Sequence, residues 1–140
     1  MPRTAIRWIV TGSLLGALGI VFGAFGAHVL EKQLIELGFD ADLPKRTANF
    51  ETAARYQMYG AVALVLVGLL LDRQQSRVWN LAAMATFVGT LVFSGLLYVL
   101  VFSGPELKWL GAVVPIGGVL MILGWLGIAV GAMTATRKTE

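Results

Sequence analysis

Four long apolar stretches, divided by short polar segments, fill most of this chain. They run about Ile6–Leu30, Thr52–Leu71, Val78–Phe102 and Leu107–Met133. A helix needs about 20 apolar residues to cross the hydrocarbon of a bilayer. Lipid offers backbone amides and carbonyls no water, so each stretch is expected as a helix. The connections differ in kind. Asp72–Arg77 and Ser103–Glu106 read as tight turns, and Pro105 suits a first helical turn, where its missing N–H costs nothing. The first connection is longer. "LEKQLIELG" at 30–38 keeps a helical pattern, with Gly38 as a left-handed stop. "FDADLP" at 39–44 then reads as a turn, with Pro44 opening the next helix. Short connections make neighbours antiparallel. The pattern therefore predicts an all-α membrane protein, an up-down bundle of four transmembrane helices. A helical hairpin extends it between helices one and two, and residues 1–140 form a single integral membrane domain.

Composition agrees with lipid as the solvent. Hydrophobic residues make up 57% and charged residues 14%, with a mean hydropathy of +0.77. Globular domains carry about 25% charged residues. The formal net charge of +3 is too small for a nucleic-acid surface. The absence of cysteine rules out disulfides, thiolate metal sites and a cysteine nucleophile. The first apolar run exceeds the roughly 7–15 residues of a signal-peptide core and is expected to be retained. Trp8, Trp79 and Trp109 fall near span ends, where amphipathic rings sit at the interface. Trp125 falls mid-span and is expected to pack on a neighbouring helix.

Charge placement suggests an orientation. One side of the bundle would carry Arg3, Arg7, Arg73, Arg77, Arg137 and Lys138 in short segments. The other would carry Lys32, Lys45, Arg46, Arg55 and Lys108, alongside six acids. The positive-inside rule counts lysine and arginine in short segments. Both termini are thus expected in the cytoplasm and the hairpin outside, in a cytoplasmic membrane.

Glycine is patterned. Gly12, Gly16, Gly19, Gly23 and Gly26 are spaced 4, 3, 4, 3, which keeps them near one helix face. Gly117, Gly124 and Gly131 repeat the device in the fourth span, with Gly127 between them. Small residues let helix backbones approach closely in lipid. Both sets are expected as packing seams. Pro115 should either kink the fourth span, the favoured reading, or open its membrane helix after a short interfacial turn, in either case freeing a carbonyl near Gly111 for Ser94, Tyr98 or Thr90.

Candidate chemistry is sparse. His28 is the lone histidine. By count it reaches the same interface as Glu51, Arg55, Tyr56 and Gln57, so a polar cluster of these five is expected to tie span one to span two. Glu51 and Arg55, four apart, suit an ion pair. One histidine without cysteine does not make a self-contained metal site, and none is expected. No catalytic motif or phosphate-cradling loop is present, so neither an enzyme nor a cofactor is expected.

Four motifs in order, "GAFGAH" at 23–28, "ETAARYQMY" at 51–59, "GTLVFSGLLY" at 89–98 and "VPIGG" with "GW" at 114–125, resemble the YgdD family of small multi-pass membrane proteins. The resemblance spans nearly the whole chain. It implies an integral protein of the bacterial cytoplasmic membrane and supplies no catalytic residues. Members commonly carry histidine after the Tyr-Gln motif, where this chain has Gly60. The leading expectation is an accessory or structural subunit, with the bilayer and other membrane subunits as partners. The alternatives are a small channel or transporter, or a pigment- or haem-binding subunit using His28.

Overall fold

The computed structural model describes residues 1–136. Arg137 and Lys138, counted above for orientation, lie outside the described residues. Every regular element in the described part is helical. Helix α1 spans Arg3–His28, α2 Leu30–Glu36 and α3 Leu43–Arg73, with a 3-10 turn at Asp40–Asp42 before α3. Helix α4 (Arg77–Thr90) continues through a π-helical turn at Leu91–Gly95 into α5 (Leu96–Phe102). A 3-10 segment at Pro105–Ala112 leads to α6, Val114–Thr136. Four helical stretches, Arg3–His28, Asp40–Arg73, Arg77–Phe102 and Pro105–Ala135, are long and apolar enough to cross a membrane. The protein is an all-α membrane bundle.

Local chemistry sets the ends. Gly38 takes φ +78°, and the Gly38 and Phe39 amides bond the Ile35 and Leu34 carbonyls at 2.9 and 3.0 Å. A side chain would be strained there. The Ser76 hydroxyl accepts from the Trp79 amide at 3.4 Å, capping α4. Pro115 corrects an expectation. It stands second in α6, where no helical N–H is required, so the proline opens a helix rather than kinking one. Tyr98 and Thr90 spend their hydroxyls elsewhere, on Gln57 and the Thr86 carbonyl.

The bundle is two close pairs joined by one helix. Helix α1 lies along α3, and α4 lies along α6; α3 also packs on α4, the π turn and α5. In the most apolar window, 44% of the α3 stretch is buried against 11% of α1, so α3 is the central element. Its buried residues Arg46, Phe50, Ala53, Gln57, Gly60, Leu64, Val67 and Leu71 alternate steps of four and three, one continuous stripe.

The glycines show how closely the pairs approach. A Cβ added at Gly12 would stand 2.7 Å from the Ala61 carbonyl oxygen, and one at Gly19 2.7 Å from the Met58 sulfur. At Gly26 it would stand 3.1 Å from the Phe50 ring. Those three are seven apart and share a line. Gly16 is looser, at 3.6 Å from the Ala61 Cβ, and at Gly23 a Cβ meets nothing within 4 Å. The five-member face expected from spacing is thus corrected at Gly23. Four residues beyond Gly19 is about 40° round the helix, enough to leave the contact line. In the second pair, Gly117 abuts the Phe93 backbone, Gly124 the Thr86 hydroxyl and Gly131 the Trp79 ring.

Two tryptophans exchange their expected places. Trp79 is buried, and its Nε1–H donates to the Ile128 carbonyl at 3.2 Å. The space that Gly131 leaves open admits its ring. Trp125 is 42% exposed. It follows Gly124, which faces α4, and one residue turns the side chain about 100° outward. Trp8 donates to Asn80 Oδ1 at 2.8 Å, and Trp109 is 63% exposed.

Candidate functional site

One polar residue holds three helices together. Gln57 lies on the buried stripe of α3. Its Nε2 donates to the Leu15 carbonyl of α1 at 2.8 Å, and its Oε1 accepts from the Tyr98 hydroxyl of α5 at 2.9 Å. Beside it, the Tyr56 ring lies 4.7 Å from the Phe93 ring, centroid to centroid. Phe93 belongs to the π turn, and Gly117 and Gly118 of α6 seat its backbone and ring edge. Three of the four motifs singled out in the sequence, around Tyr56–Gln57, Phe93–Gly95 and Pro115–Gly118, therefore meet at one π-helical turn. Such turns recur at functional positions. The Ser94 hydroxyl within it is buried and has no hydrogen-bond partner. Gly60 faces the Thr90 hydroxyl, which fills the space a side chain there would need.

The expected five-residue cluster is not assembled. Gln57 is buried, but His28, Glu51 and Arg55 are exposed, and Tyr56 turns to Phe93 and to Tyr59. Among the described residues, ion pairs join the Met1 amino group to Asp72 and Lys32 to Glu36; none joins Glu51 to Arg55. Counting along a helix gave the level along the bundle, as the Gly26–Phe50 contact shows, and ignored rotation. Gly26 faces Phe50, so His28, two residues on, points about 200° away from that contact.

Sequence reasoning passed over Arg46, which is only 9% exposed. Its Nη1 donates to the carbonyls of Val101 at 2.5 Å, Ser103 at 3.0 Å and Leu100 at 3.3 Å. These sit at the C-terminal end of α5, where helix carbonyls lack intrahelical partners and a cation is favoured. The guanidinium carbon stands 3.6 Å from the Phe39 ring centre, a cation–π arrangement. The Nε is buried and unpartnered, and no described carboxylate pairs with the group. A cavity of about 390 Å³ adjoins it, bordered also by Lys45, Asn49, Lys108 and Asp42. The signal was present in the sequence: Arg46 opens the 4-3 stripe that continues through Phe50 and Gln57.

Fold and interior together define a four-span helical membrane protein in which buried Gln57 and Arg46 join helix to helix. The family described as "Protein of unknown function (DUF423)" matches residues 22–118, and the chain belongs to that family. It is 37% identical over 119 residues to a UPF0382 membrane protein of Staphylococcus haemolyticus, covering 85% of this chain and 88% of the relative. It is 34% identical to the UPF0382 membrane protein YwdK of Bacillus subtilis, covering 90% and 95%. With the UPF0382 inner membrane protein YgdD of Escherichia coli K12 the identity is 30%, covering 93% and 92%. No solved structure matches the chain.

Proposed function

We propose that this protein is an accessory subunit of a membrane assembly, with no catalysis of its own. The observation that carries the reading is how interior polar side chains are used. Gln57 reaches the Leu15 carbonyl and Tyr98, Trp79 the Ile128 carbonyl, and Arg46 the end of α5. Each joins one helix to another, which favours a scaffold over a conducting path. Helix α1 leaves Leu14, Leu18, Ile20 and Val21 about half or more exposed, an apolar face for lipid or a neighbouring subunit. We further propose that both termini face the cytoplasm. Arg3 and Arg7 open α1, while Arg73 and Arg77 bracket the short turn at the same end.

Gentle extraction from native membranes tests the assignment. A second membrane protein co-purifying in fixed ratio is the expected result, and recovery of this chain alone after cross-linking in the membrane overturns it. The chain lacks cysteine, so single cysteines report orientation. Asp40→Cys should react with an impermeant thiol reagent in intact cells and Ser76→Cys should not; the reverse pattern inverts the topology.

A further inference from the structure

We propose that the cleft between the start of α3 and the end of α5 is a seat for an anionic phospholipid. Arg46, Lys45 and Lys108 take the headgroup phosphate, and an apolar wall takes the upper part of an acyl chain.

The first argument is charge. A guanidinium buried without an anion is costly, and three carbonyl bonds from one nitrogen compensate it only in part. All three bonds leave from Nη1, and Nε has no partner. Lys45 and Lys108 are exposed at the cavity rim, and no described carboxylate lies within ion-pair distance of either. Asp42 is the one acid at the rim, against three cations. The cavity thus favours an anion.

The second argument is depth. Helix α3 has 31 residues, about 46 Å at 1.5 Å per residue, while the hydrocarbon layer is about 30 Å thick. Its opening turn, with Lys45 and Arg46, therefore stands in the headgroup layer. Trp109, highly exposed beside Lys108, is a ring type that settles at that level.

The third argument is shape. About 390 Å³ lies in the range of small-ligand sites. Leu97, Leu100, Val114 and Pro115 line the same cavity as the cations. A free phosphate would leave that wall idle, whereas a phosphodiester joined to an acyl chain uses both. Guanidinium and ammonium groups suit phosphate oxygens.

The test uses the full chain in detergent, with native mass spectrometry reading retained lipid. Phosphatidylglycerol and phosphatidylcholine of identical chains are the probes. Phosphatidylglycerol should be retained roughly tenfold more than phosphatidylcholine, and K45A/K108A should erase the difference. Neither lysine makes a hydrogen bond or ion pair among the described residues, so the fold does not depend on them. The single variant K108Q, with a severalfold loss expected, serves should the double variant fail to fold. Equal retention of the two lipids, or unchanged preference in a folded variant, overturns the proposal. A third arm adds inorganic phosphate at millimolar concentration. It should leave phosphatidylglycerol in place; displacement by phosphate alone would make the site one for the free anion and overturn the lipid.

Discussion

The two helix pairs use the same spacing of glycines and reach different degrees of closeness. Between α4 and α6 the approach is mutual. A Cβ on Gly89 would stand 2.8 Å from the Gly117 carbonyl oxygen, and one on Gly117 2.9 Å from the Gly89 carbonyl oxygen. Backbone meets backbone, and neither side can give way. Between α1 and α3 most of the glycines belong to α1. A Cβ on Gly68 of α3 would stand 3.0 Å from the Ala5 carbonyl oxygen and the Ile9 amide nitrogen, but what faces the α1 glycines changes along the seam. Gly12 meets the Ala61 carbonyl, Gly19 a methionine side chain, Gly26 an aromatic ring and Gly23 open space. A glycine stripe marks a line of approach; the atom opposite each glycine decides how strictly the line is kept.

Alanine substitutions read by thermal unfolding in detergent put that difference on a scale. Gly117→Ala should cost most, about 3 kcal/mol or more, because its new methyl group meets the Phe93 backbone. Gly12→Ala should cost about 1–3 kcal/mol for the same reason at the Ala61 carbonyl. A Gly12 loss equal to that of Gly117 would make the two seams equivalent. Gln57→Leu removes two inter-helix hydrogen bonds, one within the first pair and one from α3 to α5, at an expected cost of about 1 kcal/mol. Gly19→Ala should fall under about 1 kcal/mol, since the Met58 thioether can swing aside. Gly23→Ala should cost nothing and gain up to about 1 kcal/mol from helix propensity. A Gly23 loss matching that at Gly12 would show a contact to another molecule on that face.

The spans were legible because length and hydropathy alone decide what crosses lipid. The turn at Gly38 was equally local. The seam was legible in period but not in rotation. Gly12, Gly19 and Gly26 share a line, and the intermediate glycines drift off it by an angle that spacing does not reveal without knowing where α3 lies. The same blindness misplaced His28 and Glu51, read at the right level along the bundle on the wrong side. Trp79 and Trp125 were assigned by distance from the span ends, while the vacancy beside Gly131 decided which ring was buried. Arg46 was readable from the 4-3 stripe, yet it was counted only among the charges of one side of the bundle. Its acceptors are the last carbonyls of α5, more than fifty residues away.

That separation orders the protein's assembly during synthesis. Arg46 leaves the ribosome 54 residues before Leu100 and 57 before Ser103. Until the third span has been made, the guanidinium has none of the carbonyls that later hold it, and at that end the first hairpin has only its apolar contacts and the Arg46–Phe39 cation–π contact. The arrival of α5 supplies those carbonyls, so that end of the first pair gains its guanidinium ties only when the third span is complete. A chain released before residue 103 would lack the Ser103 carbonyl to which Arg46 donates.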